Sequence, residues 1–164
     1  MTMLKKQSFL LTLAFLLIGC GKSDDDIRRV VQEELAKNST RSFMTDAQVI
    51  GPYSPAVQAG DFLFVSGQIG LSPETGEMAG DDIESQTRQS LENLMSILGK
   101  AGYDSSHVVQ CTVYLKDIND FPKMNLLYGG YFTEGAYPTR ATVEVSNLPR
   151  KAKVEIAAVA YKAR

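Results

Sequence analysis

Two charged residues near the C-terminus could carry out chemistry, and one of them lies where a charge is costly to bury. Glu155 is the one acid in the otherwise apolar run 154–159, and Arg140 lies in an alternating segment that ends at Ser146. A carboxylate buried without a partner is strongly destabilising, so Glu155 needs either a cation or an open pocket beside it. An arginine and a glutamate together could bind a substrate carboxylate and move a proton.

Both residues lie on predicted strands, at 139–145 and 154–161. If these strands form a hairpin centred on residues 147–148, Arg140 lies directly opposite Glu155. A shift of one residue in the register would remove this pairing. The pattern then has two interpretations, a structural cross-strand ion pair or a catalytic pair, and the spacing leaves both open.

Two further strands are predicted nearer the N-terminus. Residues 62–65 form a short apolar run between turn residues, and residues 108–115 are rich in Val, Thr and Tyr. Alternation along the second of these strands places Val109 and Cys111 on one face. Cys111 is therefore expected to be a core residue and not a reactive thiol.

Two helices separate these strands. Asp82 is expected to cap a helix from about 83 to 99, and Asp120 to cap a second helix that carries apolar residues from Phe121 to Phe132 on one face. The order of strands and helices predicts an α+β or α/β layer with the helices against one face of a sheet.

The N-terminus has the pattern of a bacterial lipoprotein signal. Lys5 and Lys6 precede an apolar stretch at 9–18, which at about 1.5 Å per residue is too short to span a bilayer. Residues 17–20 resemble a lipobox, in which cleavage before Cys20 is followed by lipidation of its thiol. Gly21 after this cysteine favours an outer-membrane lipoprotein that faces the periplasm.

The sequence is therefore divided into a signal peptide at 1–19, a lipid-anchored tether at 20–42 and a globular domain at 43–164. The tether is highly charged, and its three aspartates at 24–26 are able to cap a short helix. A solvated spacer is the alternative.

Composition excludes several classes of protein. The chain has 164 residues, 17 Lys+Arg against 19 Asp+Glu, one His and two Cys. A net charge of −2 provides no general attraction to nucleic acid. One His and two Cys cannot supply the four ligands of a Cys/His zinc site. The length suits one domain with one hydrophobic core.

Several segments resemble motifs of the RidA/YjgF family of enamine/imine deaminases. The C-terminal segment reads YPTRATVEV from residue 137, then LP from 148 and VEI from 154. The others read IGPYS from 50, FVSGQI from 64 and NDF from 119, with Asn125 and Tyr128 following. The resemblance extends over about residues 46–163, in the family's order and spacing.

This resemblance implies an α+β, chorismate-mutase-like single domain, with two helices packed on one face of a mixed sheet. It implies a barrel-like homotrimer with clefts between the subunits, and a reaction that needs no metal or organic cofactor. That reaction is the hydrolysis of a 2-enamine or 2-imino acid, such as 2-aminoacrylate or 2-iminobutyrate, to a 2-keto acid and ammonium.

The resemblance also implies roles for individual residues. Arg140 is expected to bind the substrate carboxylate, and Glu155 to position the attacking water or carry its proton. The residues expected to line the same cleft are Tyr53, Ser66, Gly67, Asn125 and, through its backbone, Thr142. Many family members have Cys at the position of Thr142, so any property that depends on that thiol is absent here.

Three functions are compatible with the family. The first is the deaminase, whose partners are small 2-imino and 2-keto acids. The second is a non-catalytic protein on the same trimer that binds small carboxylates or protects client proteins. The third, a ribonuclease activity attributed to some relatives, is disfavoured by the acidic charge of the mature chain.

The N-terminal pattern makes a testable prediction about Cys20. We expect the mature chain to begin at this cysteine, to be diacylated and to be attached to the membrane, because acyl chains contribute about 0.8 kcal/mol for each buried CH₂. Intact-mass analysis of membrane fractions measures both features. A chain that retains residues 1–19, or a soluble form in wild-type cells, would contradict the prediction.

Overall fold

The structure, a computed structural model, describes residues 23–26, 28–30, 41–43 and 49–163. Backbone contacts divide the chain into two compact units, Met1–Thr40 and Arg41–Arg164. Over the described residues, the helices are too short or too polar to cross a bilayer. The predicted signal peptide and Cys20 lie outside the described residues.

Part of the predicted tether is helical, at residues 24–26 and 28–30. Ser23 is the capping residue, since its hydroxyl accepts the backbone N–H of Asp26 at 3.3 Å. Arg29 forms an ion pair with Asp26 at 3.3 Å, one turn away on the exposed surface. The described part of the tether therefore favours the short helix over a spacer without structure, with the aspartates inside its first turn.

The described residues of the second unit form one mixed sheet. Its strands are β1 (Arg41–Phe43), β2 (Ala56–Ala59), β3 (Phe62–Ile69), β4 (Val108–Leu115), β5 (Thr139–Glu144) and β6 (Val154–Tyr161). Their order across the sheet is β1-β2-β3-β6-β4-β5. Only β4 and β5 are parallel, and every other pair of neighbours in this described sheet is antiparallel.

Two α-helices of this unit, α1 (Ile83–Lys100) and α2 (Phe121–Gly129), begin differently. Asp82 caps α1 as predicted, because its carboxylate accepts the N–H of Ser85 at 2.7 Å. The predicted cap of α2 is wrong, since Asp120 forms no capping hydrogen bond. Asp117 caps a 3₁₀ turn that precedes α2 instead, by accepting the N–H of Asn119 at 2.9 Å.

The core lies between the helices and one face of the sheet. Alternate strand residues and the inner faces of both helices share it; among its fully buried members are Leu63, Leu91, Leu94, Leu98, Val113, Leu115, Met124 and Ile156. Cys111 is fully buried, as predicted. Val109 is 43% exposed, against the prediction, because an irregularity between Val108 and Gln110 takes it out of the alternation.

The predicted hairpin between β5 and β6 is wrong, because β4 lies between these two strands. Arg140 is paired with Cys111 of β4 in parallel register, whereas Glu155 is paired with Tyr114. The cross-strand ion pair between Arg140 and Glu155 is therefore not formed.

Two features set the position of β6 and its neighbour β3. In β3, Ser66 and Gly67 together lie opposite the single residue Ala157, which makes a β-bulge. Ahead of β6, the buried side chain of Gln86 accepts the N–H of Lys153 at 2.8 Å. Its amide also donates to a carbonyl of the preceding loop, so this one side chain connects α1 to the start of β6.

The other face of the sheet is apolar but not covered by helices. Four of its large side chains are between 41% and 47% exposed: Phe62, Phe64, Val143 and Tyr161. Phe62 and Tyr161 pack with their ring centroids 5.1 Å apart. We refer to this surface as the open face.

Candidate functional site

The seven residues predicted for the site fall into two groups on opposite faces of the sheet. Tyr53, Ser66, Gly67 and Glu155 line a cavity of about 280 Å³, which we call the glutamate pocket. Arg140, Asn125 and Thr142 lie on the helix-bearing face, together with the rings of Phe121 and Tyr128; we call these five residues the arginine cluster.

The bulge in β3 shapes the wall of the glutamate pocket. The Ser66 hydroxyl donates to the carbonyl of Ser54 at 2.7 Å, and the Ser66 backbone N–H donates to the carbonyl of Pro55 at 2.9 Å. These two hydrogen bonds attach the segment that carries Tyr53 to β3. The Tyr53 side chain lies at the rim of the pocket and is 45% exposed. The rest of the wall is apolar and consists of Ile50, Ile69 and Pro149.

Gly67 leaves the space that the Glu155 side chain occupies. A Cβ built on Gly67 would lie 2.6 Å from Cδ and 2.8 Å from Cγ of Glu155, and closer still to its Oε1. These separations are well below van der Waals contact, so any larger residue at Gly67 displaces the carboxylate. A close approach of this kind is a reason for glycine within a strand.

Glu155 is half-buried, and its carboxylate forms no hydrogen bond or ion pair with residues 49–163. Burial raises the pKa of this carboxyl above its ordinary value of 4.5. A carboxyl with a raised pKa can both accept and return a proton closer to neutral pH. Its open side faces the pocket, so a water or a ligand can reach it.

Arg140 is held by groups on α2. Its Nη2 donates to Oδ1 of Asn125 at 2.7 Å. The centre of its guanidinium lies 4.4 Å from the centroid of the Tyr128 ring and 5.6 Å from that of the Phe121 ring. No acidic side chain in the described part of the chain pairs with it, so its charge and most of its N–H donors are available to an anion.

Thr142 and Cys111 complete the surroundings of Arg140. Thr142 is on the same face of β5, and its buried hydroxyl has no hydrogen-bond partner among the described residues. Cys111 of β4 lies beside Arg140 of β5. Burial raises the pKa of the Cys111 thiol. The pKa of Tyr128 is also raised, first by burial and then by the adjacent Cys111 thiol. Both groups therefore remain neutral near pH 7.

Arg140 and Glu155 of one chain cannot contact the same small molecule. A rise of about 3.3 Å per residue and a strand spacing of about 4.8 Å separate their α-carbons by roughly 14 Å, and the side chains point to opposite faces. The carboxylate and the reacting carbon of a 2-imino acid are adjacent atoms. One chain therefore does not bring the two residues to one small-molecule site, and we refer to the glutamate pocket and the arginine cluster as candidate half-sites.

A second and larger cavity, of about 810 Å³, adjoins the glutamate pocket. It lies between α1 and the loop after β3 and shares Ile50, Tyr53, Gly67 and Ile69 with that pocket, while its remaining wall is mostly polar. In the part of the chain that the structure describes, no three acidic, His or Cys side chains are grouped to hold a metal ion. His107, the one histidine of the sequence, forms a hydrogen bond between its Nδ1 and Oδ1 of Asp104 at 2.9 Å.

The sequence reasoning assigned no role to several residues of both half-sites. Ile50, Ile69 and Pro149 were apparent only as members of motifs, because an apolar pocket wall has the same composition as a core. For Phe121 and Tyr128, the sequence does contain a pattern that could have assigned them to the site. They and Asn125 recur at i, i+4 and i+7, which places all three on one face of a helix.

Comparison with known proteins identifies the family. The model of the family described as Endoribonuclease L-PSP, which includes the RutC and RidA proteins, matches residues 44–162, nearly all of the second unit. The chain belongs to the RidA family. A RutC family protein of Pyrococcus horikoshii is 56% identical over 113 residues, which are 69% of this chain and 89% of that protein.

Solved RidA-family structures confirm the predicted α+β fold. RidA from an Antarctic Psychrobacter is 36% identical, with a TM-score of 0.69 over 73% of this chain and 98% of that one. E. coli TdcF, whose structure contains bound serine, is 38% identical, with a TM-score of 0.68 over 74% of this chain and 98% of that one. The expected mixed sheet with two helices on one face is the fold observed here.

The contact between Gly67 and Glu155 makes a prediction about both pocket geometry and stability. Gly67→Ala should lower the free energy of unfolding by about 1–3 kcal/mol, because the new methyl group overpacks the site. It should also move Glu155 toward solvent and lower the pKa of its carboxyl toward 4.5. Urea denaturation at one protein concentration and NMR titration of Glu155 measure the two effects.

Gly99→Ala is the matched control. Gly99 is a helical glycine of α1, and beyond its chain neighbours and the nearby backbone of its own helix an added methyl group would meet no atom within 4 Å. This control should keep or raise the stability, because alanine favours a helix over glycine by about 1 kcal/mol. A Gly67→Ala chain with wild-type stability and an unchanged Glu155 titration would show that the close contact does not constrain the pocket.

Proposed function

We propose that this protein hydrolyses reactive 2-imino acids, and the 2-enamine acids that tautomerise to them, to 2-keto acids and ammonium. The observation that supports this most is a pair of uncompensated charges at motif positions. Within residues 49–163, Arg140 has no acidic partner and the half-buried Glu155 has no cationic partner. Arg140 is the cation that binds the substrate carboxylate, and Glu155 is the base that accepts a proton from water.

The proposed mechanism uses these two charges in turn. The guanidinium of Arg140 binds the substrate carboxylate and holds C2 near a water on Glu155. The water oxygen adds to C2 of the protonated imine, the C=N electron pair moves to nitrogen, and Glu155 takes the water proton. Glu155 returns this proton to nitrogen, the C–N bond breaks, and the hydroxyl proton goes to the departing ammonia, which leaves ammonium and the 2-keto acid.

The proposed assembly is a homotrimer in which Arg140 of one subunit meets the glutamate pocket of the next. The opposite orientations of the two half-sites support this assembly, because Glu155 of a second subunit can lie beside Arg140 of the first. The apolar open face supports it too, because exposed aromatic and aliphatic clusters of this kind mark interaction surfaces. Membrane attachment through Cys20 remains a separate prediction.

The relatives support a small-molecule ligand. TdcF contains bound serine, an amino acid that carries the α-carboxylate expected to bind Arg140. The family description also names an endoribonuclease, but a net charge of −2 provides no general attraction to RNA. Binding of small carboxylates without catalysis is the alternative that the experiments below distinguish.

The first prediction concerns the two charges separately. Arg140→Ala should lower kcat/KM by roughly 30- to 1,000-fold, about 2–4 kcal/mol, and Arg140→Lys should not restore it, because lysine cannot make the paired contacts of a guanidinium. Glu155→Gln should lower kcat more than it weakens binding of 2-ketobutyrate, because the amide cannot relay a proton. In the wild type, kcat/KM should fall on the acid side with an apparent pKa above 4.5.

The assay generates 2-aminoacrylate or 2-iminobutyrate in situ with a dehydratase and follows its disappearance with the purified full chain. Leu126→Ala is a suitable control, because Leu126 is 81% exposed on α2 and outside both half-sites. If the wild type hydrolyses neither compound faster than buffer but binds 2-ketobutyrate, the non-catalytic function is correct. Full activity in both the Arg140 and Glu155 variants would refute the site.

The second prediction tests whether the site is shared between subunits. Arg140→Ala and Glu155→Gln chains with different tags, co-expressed in equal amounts and purified together, should regain activity that neither variant has alone. In a ring of randomly mixed subunits about one quarter of the sites pair an intact Arg140 with an intact Glu155. Mixed oligomers with no more activity than the single variants would refute a site shared between subunits.

A further inference from the structure

Three residues of α2 surround the guanidinium of Arg140 from one side. Phe121, Asn125 and Tyr128 are spaced i, i+4 and i+7, and each contacts the guanidinium group. We propose that Phe121 and Tyr128 are positioning residues, whose rings set the plane of the Arg140 guanidinium so that it binds a carboxylate through two parallel N–H donors. This inference rests on the proposed role of Arg140 in substrate binding.

The geometry of both rings fits a cation–π contact. The ring centroids of Tyr128 and Phe121 lie 4.4 Å and 5.6 Å from the guanidinium carbon, within the range of about 6 Å for such contacts. Arginine stacks on aromatic faces through its planar guanidinium, which lysine does not have. Asn125 adds a hydrogen bond at 2.7 Å, which restricts rotation of the group in its own plane.

The rigidity of the Tyr128 ring makes it an effective platform. Tyr128 is 3% exposed, and its ring lies 4.8 Å from that of Phe132, centroid to centroid. A ring fixed by the core can hold a long side chain in one rotamer at little further entropic cost. Preorganised binding groups of this kind increase affinity because the ligand does not have to order them.

Neutral groups have an advantage over a carboxylate in this position. An acidic partner would orient Arg140 equally well but would compete with the substrate carboxylate for the same N–H donors. Aromatic rings and an amide oxygen hold the guanidinium while leaving its full positive charge for the ligand. Over residues 49–163, these neutral groups are the hydrogen-bond and cation–π partners of the guanidinium.

The test measures binding of 2-ketobutyrate to the full chain by NMR titration, which requires no turnover. Tyr128→Leu should raise the dissociation constant about 3- to 30-fold, and Tyr128→Phe should restore it to within about threefold of wild type, because the ring and not the hydroxyl makes the contact. Tyr103→Leu is the control, since Tyr103 is also buried, at 6% exposed, and belongs to neither half-site. It should lower stability without changing the dissociation constant.

A double variant separates positioning from general damage to the fold. If Tyr128 acts through Arg140, Tyr128→Leu should weaken binding less than twofold in an Arg140→Ala background. Losses that multiply in the double variant, or an equal loss in Tyr103→Leu, would overturn the proposal. So would a Tyr128→Phe chain that binds as weakly as Tyr128→Leu.

The outcomes distinguish this inference from the proposed function. A wild type that binds 2-ketobutyrate without hydrolysing imino acids refutes the deaminase, while the Tyr128 series still tests the positioning role. A wild type that hydrolyses imino acids, together with a Tyr128→Leu chain of unchanged affinity, refutes the positioning role alone. A wild type that does not bind 2-ketobutyrate refutes both.

Discussion

Parallel pairing of β5 with β4 is the constraint on which the arrangement of both half-sites depends. A parallel neighbour requires a crossover connection, and here that connection contains α2. The crossover brings the α2 face that carries Phe121, Asn125 and Tyr128 against Arg140. Because β5 pairs with one edge of β4, β6 pairs with the opposite edge. Glu155 therefore lies on the other side of β4 from Arg140, and its side chain points to the other face of the sheet.

The two half-sites handle charge by different physical means. Around Arg140, rings and an amide oxygen stabilise the cation without neutralising it. Around Glu155, partial burial without a cation raises the carboxyl pKa, and the wall beside it is mostly apolar. The half-buried carboxylate of Glu155, which has no cationic partner among residues 49–163, costs stability. Departures from the best local packing of this kind are typical of functional sites, where the surrounding fold has to compensate.

Several contacts hold the Glu155 strand and its neighbours in place. Gln86 of α1 accepts the backbone N–H of Lys153, two residues before Glu155. The bulge at Ser66 and Gly67 removes a side chain where the carboxylate lies and bonds the Tyr53 segment to β3. The glutamate pocket thus depends on a helix, a bulged strand and a loop, although its carboxylate belongs to one residue.

The sequence by itself determined the features that depend on neighbouring residues. The Asp82 cap, the limits of β6, the buried Cys111 and the family membership all follow from local patterns or from matching motifs. Only the tertiary structure decided which strands are neighbours, and it replaced the predicted Arg140–Glu155 pair with two half-sites on opposite faces. Alternation specifies the face of a residue within its own strand, whereas the partner of that strand depends on packing between distant segments.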